Sequence, residues 1–276
     1  MKNHLFFHSE LSDFQLLQGD CLDVIPQVDK NIDMVFADPP YFLSNDGLTV
    51  KNGKVQSVNK GEWDKLVSDD DAYTFTYEWL AAVREKMADN ATIWVSGTHH
   101  NIFTLGSILP KLGFKILNII TWEKTNPPPN YSCRFFTHST EFIIWARKHP
   151  KVPHHFDYDL MKKLNNDKQM KDVWQLPAIA KWEKSCGKHP TQKPLALLAQ
   201  IILASTKKDA LILDPFAGSS TTGIASNVLG RNFIGIDKES EYLQLSQARY
   251  EDLQSEGRKE FFKQNFYRLL NKTTDK

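Results

Sequence analysis

Asp38-Pro39-Pro40-Tyr41 follows the apolar run IDMVFA at 32–37. Two consecutive prolines confine the backbone and remove two N–H donors. They leave a carboxylate, a carbonyl and an aromatic face side by side. That set suits a planar ring carrying an –NH₂ group. Asp38 and the Pro39 carbonyl can each accept one amine hydrogen, and Tyr41 can stack on the ring. Paired prolines also simply end strands, so the motif alone is open between a turn and a site.

A second segment, DPFAGSSTTG at 214–223, follows the apolar run ALIL at 210–213 and opens a helical pattern. Gly218 allows a sharp turn and close backbone approach to a ligand. The helix start beyond it offers free N–H groups. About twenty residues after such a turn, GID ends the next apolar run and sets Asp237 at its carboxyl end. A carboxylate there can accept hydrogen bonds from both ribose hydroxyls of a nucleoside cofactor. The segment lacks the GxGxxG spacing of dinucleotide sites and the Lys of a P-loop. A nucleoside without a pyrophosphate is therefore the natural ligand, and S-adenosylmethionine (SAM) is the commonest. Asp214, Phe216, Ala217, Gly218, Ser219 and Asp237 are the candidate cofactor residues.

The elements that must position these motifs alternate. Strands are expected at 14–17, 32–37, 92–95, 115–122, 141–146, 210–213 and 233–236, with helices at about 72–88, 100–112, 193–206, 219–229, 239–254 and 258–271. Leu80, Val83 and Met87 share helical spacing. The alternation indicates an α/β sheet. Residues 148–186 are polar and basic with little periodicity, and are read as an inserted target-recognition segment in a single domain spanning 1–276. Trp94, Trp122 and Trp145 sit on strands and are read as core. His99-His100 and His154-His155 have no ligand-like neighbours, so no metal site is expected.

DPPY and FAGS, in this order, resemble the β-group amino-methyltransferases of DNA, and the resemblance covers nearly the whole chain. DPPYFLSNDG with VNKGEWDK is most similar to the second adenine methyltransferases of DpnII-type restriction systems. The resemblance implies a permuted Rossmann-like SAM-dependent methyltransferase fold. Its sheet is mostly parallel with one reversed strand in a terminal hairpin, and helices cover both faces. It makes Asp38, Pro39, Pro40 and Tyr41 catalytic. It places Asp20 of LLQGD near the SAM adenine, and Thr191 and Lys193 of KHPTQKP near the methionine carboxylate. Residues 121–148 match the hairpin region beside the catalytic pocket. Ser220 stands where many family members carry Gly. The implied reaction is methylation of the adenine 6-amino group, with GATC as the favoured target. DNA, a cognate restriction endonuclease and a second copy of the chain are the implied partners. Cytosine 4-amino methylation would more usually carry Ser-Pro-Pro. RNA and protein-glutamine methyltransferases usually place the SAM motif first. A binding module without catalysis is countered by the intact Asp38, Asp237 and Lys193.

Composition fits this reading. The net charge over 276 residues is +1, yet residues 121–194 hold 13 Lys/Arg against 7 Asp/Glu, and the rest holds 21 against 26. Such asymmetry suits either a polyanion-binding face or a solvated surface. Arg134, Lys148, Lys151 and Lys171 in the basic stretch are candidate DNA contacts, as are Lys51, Lys54 and Lys60 in the Gly/Asn/Ser-rich loop after DPPY. Cys21, Cys133 and Cys186 form no CxxC pair and suit a reduced, cytoplasmic compartment. No signal-peptide pattern or membrane-length apolar run is present.

Overall fold

The computed structural model describes residues 4–11, 13–29, 31–41, 48–51, 54–57, 68–127, 129–130, 133–187 and 189–272. In chain order the elements are β1 (Leu5–His8), β2 (Phe14–Gln18), α1 (Cys21–Val24), β3 (Ile32–Ala37), β4 (Leu48–Lys51), β5 (Lys54–Ser57), α2 (Asp69–Lys86), β6 (Met87–Gly97), α3 (Ile102–Lys111), β7 (Lys115–Lys124), β8 (Thr140–Arg147), α4 (Tyr158–Leu164), β9 (Val173–Leu176), α5 (Leu195–Ser205), β10 (Leu211–Asp214), α6 (Thr221–Val228), β11 (Asn232–Asp237), α7 (Ser240–Gln254) and α8 (Arg258–Lys272).

Nine strands form one sheet in the order β1-β2-β11-β10-β3-β6-β8-β7-β9. The central strands β2, β11, β10, β3 and β6 are parallel. β2 lies beside β11, with Phe14 opposite Phe233, as the permuted chain order requires. β8 runs antiparallel to both β6 and β7, giving the reversed hairpin strand. A second reversed strand, β1, corrects the expectation of only one. Four residues without alternation give β1 no strand signal of its own. It is held by the turn that follows, where the Ser9 hydroxyl accepts from the N–H groups of Asp13 and Phe14.

Alternation along the strands divides the core between two faces. Met34 and Phe36 pack on one face with Leu198, Ile202, Ile224 and Phe266, under α5, α6 and α8. Val35 and Ala37 pack on the other with Trp79, Leu80, Ile102 and Leu105, under α2 and α3. Every residue of α5 is buried, which accounts for a sequence apolar except at Gln200 and Ser205. Trp94 stacks on Trp145 at 4.7 Å within this core, and Trp122 is also buried. α6 crosses close to the sheet. A Cβ on Gly223 would lie 2.5 Å from the Phe233 ring.

Three short regions differ from expectation. The α2 pattern runs through Met87, but the helix ends at Lys86. Met87 is extended (φ −69°, ψ 143°) and opens β6 opposite Ile32. The loop after DPPY contains the antiparallel pair β4–β5, with Lys51 opposite Lys54. The 148–186 segment is woven into the body. β9 pairs with β7, α4 packs on α5, and Met161, Leu164, Trp174 and Leu176 join the core. Its elements are too short for a periodic signal.

Candidate active site

The carboxyl ends of the parallel strands open into a cleft of about 410 Å³. In open α/β sheets this edge is where ligands bind, and the volume suits a small-molecule ligand. From β3 the cleft receives Asp38 and Pro40. From β10 and the loop after it come Asp214, Phe216, Ala217, Gly218 and Ser219. Asp237, Asp20, Thr191 and Lys193 complete the sequence candidates on its wall. Pro39 is buried beside Asp38.

The loop from β10 to α6 is fixed from several sides. The buried Asp214 accepts from Phe216 N at 3.0 Å and from Thr222 Oγ1 at 2.6 Å, and burial pushes its carboxyl up to about 7. Both its oxygens are bonded within the loop, so Asp214 shapes the turn that lines the cleft. Gly218 has φ +51°, and a Cβ there would stand 3.1 Å from the His189 ring. Ser220 takes the same left-handed backbone (φ 51°, ψ 42°), which explains why glycine suits its position. The buried Arg249 guanidinium donates to the Ser219 carbonyl and, at 3.0 Å, to Thr221 Oγ1.

Asp237 ties this loop to β11. Its Oδ2 accepts from Gly218 N at 2.7 Å and its Oδ1 from Glu239 N at 2.9 Å. Burial pushes its carboxyl up to about 6. Asp20 caps α1 by accepting from Leu22 N at 3.0 Å. His189 meets Tyr242 edge-on at 4.2 Å, and burial holds its imidazole down at about 4, so the ring is neutral at physiological pH.

The other end of the cleft carries a buried charge network. Asp38 Oδ1 accepts from Tyr41 Oη at 2.6 Å, and that hydroxyl lies 3.1 Å from Ser96 Oγ on β6. Asp38 Oδ2 accepts from Lys193 Nζ at 2.6 Å. The same ammonium is 3.6 Å from Glu141 Oε2 on β8, whose Oε1 accepts from Lys124 Nζ at 2.5 Å. Burial alone would depress Lys193, but the charges of Asp38 and Glu141 outweigh it and hold the ammonium well above its usual range. Burial would likewise raise Glu141, but Lys193 and Lys124 hold its carboxyl down. Burial and the Asp38 charge push the Tyr41 phenol up. Lys193 was expected at a cofactor carboxylate. It lines the cleft, where its ammonium pairs with the part-buried carboxylates of Asp38 and Glu141.

Known proteins match both the sequence and the fold. The family model described as DNA methylase, of N6/N4 type, matches residues 32–248. The chain belongs to this family of DNA methylases. It is 63% identical to the Type II methyltransferase M2.MboI of Moraxella bovis over 90% of this chain and 91% of that protein. It is 56% identical to M2.DpnII of Streptococcus pneumoniae over 80% and 83%. Among solved structures, the M1.HpyAVI–SAM complex superposes with a TM-score of 0.66 at 30% identity, covering 86% of this chain and 98% of that one. The PvuII cytosine-N4-specific methyltransferase shares the fold, with a TM-score of 0.71 at 20% identity over 94% and 93%.

The remaining candidates of the methylase fall in four places among the described residues, with one outside them. Arg134 is exposed in the β7–β8 connection, on the cleft side of the sheet, next to the exposed Phe135 and Phe136. Lys148 and Lys151 follow β8 at the opposite edge. There Lys148 Nζ bonds the Met87 carbonyl at 2.7 Å and pairs with Asp89 at 3.2 Å, so it is held away from the cleft mouth. Lys171 is exposed just before β9. Lys51 and Lys54 lie on the β4–β5 hairpin, and Lys60 lies outside the described residues. Sequence reasoning missed Glu141, Lys124, Ser96, His189 and Tyr242. His189 had a motif signal inside KHPTQKP, and Lys124 and Glu141 fell within the 121–148 match.

Proposed function

We propose that the methylase transfers a methyl group from SAM to the 6-amino group of adenine in a short DNA target, with GATC the favoured site by its resemblance to the methylases of DpnII-type systems. It acts as the protective partner of a restriction endonuclease of the same target. The observation that carries this reading is the shared cleft. Asp38 of DPPY stands at one end, and the Gly218 turn with Asp237 stands at the other.

The cleft fits SAM by its donor and acceptor set. Asp237 and Asp20 offer carboxylates for the ribose and adenine, and Phe216 offers an apolar face beside Trp79 at 5.2 Å. Gly218 lets the backbone come close where a side chain would be crowded. When bound, SAM supplies a sulfonium methyl, which is already strongly electrophilic. The difficulty lies in the acceptor, whose lone pair is delocalised into the base. Asp38 and the Pro39 carbonyl accept the two amine hydrogens and stabilise the positive charge that develops on nitrogen. The base leaves the duplex to reach them, and Tyr41 offsets part of its lost stacking. Arg134, in the β7–β8 connection on the cleft side of the sheet, contacts phosphates. Methylation mapping of plasmid DNA treated with the protein and SAM tests the target. Modified adenine at every GATC is expected, and modification confined to another sequence contradicts the assignment.

A further inference from the structure

We propose that Glu141 is a second berth for the Lys193 ammonium, and that entry of the acceptor base moves Lys193 from Asp38 to Glu141. The inference rests on the adenine-methylation reading and deepens it.

Both oxygens of Asp38 are engaged before any base arrives, by Tyr41 Oη and Lys193 Nζ, each at 2.6 Å. An amine held on Asp38 becomes cationic as its nitrogen takes the methyl group. A lysine ammonium kept in contact with the same carboxylate repels that charge, and repulsion is strong where water is excluded. The lysine therefore has to yield its place, yet it is buried and needs another anion.

Glu141 provides one at minimal displacement. Its Oε2 is buried, has no hydrogen bond within 3.5 Å among the described residues and lies 3.6 Å from Lys193 Nζ, a loose ion pair. Its Oε1 is held by Lys124 at 2.5 Å, which fixes the carboxylate on β8 and keeps it charged. In the free protein two carboxylates face two ammonium groups. With the amine on Asp38, Lys193 and Lys124 share Glu141, and the developing amine charge takes the place of Lys193 on Asp38. Glu141 and Lys124 are positioning residues in this scheme, since they act through Lys193.

The test compares Glu141→Gln, Lys193→Gln and the double variant, with kcat at saturating SAM and SAM affinity measured separately. Glu141→Gln leaves Lys193 no berth but Asp38, so kcat should fall by about 10²-fold, comparable to losing one transition-state contact. Its SAM affinity should stay near wild type. Adding Lys193→Gln should restore part of the lost kcat, which a merely structural role for Glu141 would not allow. Wild-type kcat in Glu141→Gln, or a double variant no faster than Glu141→Gln, overturns the proposal. If Glu141→Gln fails to bind SAM, a crystal structure of the unaltered protein with sinefungin and target DNA decides. Lys193 Nζ should then be hydrogen-bonded to Glu141 and detached from Asp38. A persisting Asp38 contact overturns the proposal. No methylation of adenine by the unaltered protein would overturn the underlying reading, and this one with it.

Discussion

Gly218 N donates a 2.7 Å hydrogen bond to Asp237 Oδ2, so the glycine turn after one strand is anchored to the acidic end of the next. The turn and the ribose-binding candidate therefore form one unit.

Asp237 should make SAM binding depend on pH. Burial pushes its carboxyl up to about 6 in the free protein. Ribose hydroxyls donate to the ionised form, and the sulfonium also favours it, so binding lowers this pKa. SAM affinity should then rise as pH rises through about 6 and level off above. Asp237→Asn should weaken binding at neutral pH by roughly 1–3 kcal/mol and flatten the profile. Calorimetric titration at several pH values checks this. Equal wild-type affinity at pH values well below and well above 6 would move the ribose site elsewhere.

Asp38→Ala should lower methyl transfer by about 10³-fold or more while SAM affinity stays near wild type. Lys193 keeps Glu141 as a partner in this variant, so no buried ammonium is stranded. Single-turnover transfer with a parallel binding measurement reads both quantities. Activity within a few-fold of wild type would remove Asp38 from the mechanism.

Ser220 adopts a left-handed backbone, and its buried hydroxyl has no hydrogen-bond partner among the described residues. Ser220→Gly removes both costs. Against them stands the extra unfolded-state freedom of glycine. A net gain of about 1 kcal/mol is expected, seen as a higher Tm. A lowered Tm would mean that the serine side chain supports the turn.

Arg134→Ala should weaken binding to all DNA sequences alike and reduce the salt slope of binding by about one. Lys148→Ala serves as its contrast, because that ammonium is held by Met87 and Asp89 at the opposite edge. Fluorescence anisotropy across a salt series distinguishes them. A changed slope for Lys148→Ala with none for Arg134→Ala would put the DNA on the other edge.

The central sheet was legible because β3, β10 and β11 are continuous apolar runs, each ending in a chemically distinctive residue. β1 and β9 were not, since LFFH and VWQL are short and neither runs into a chemically distinctive motif, as the equally short β10 does. The β4–β5 pair did have a signal, the Asn52-Gly53 dipeptide between its strands, which favours hairpins. Most cleft-lining candidates could be named from motifs. The charge network could not. Glu141 reaches Lys193 only because β8 runs backwards beside β6, and nothing in the local sequence of THSTEF marks its glutamate as buried. The same limit explains Lys148, whose partner Asp89 is 59 residues away. A basic stretch shows charge in the sequence, while the edge of the sheet it occupies is a tertiary fact.

The most direct test is incubation of the purified protein with methyl-labelled SAM and GATC-containing DNA, followed by nucleoside analysis. The account predicts label in N6-methyladenosine of the deoxy series, lost in Asp38→Ala. Label in N4-methylcytosine, or no label in DNA, would contradict it.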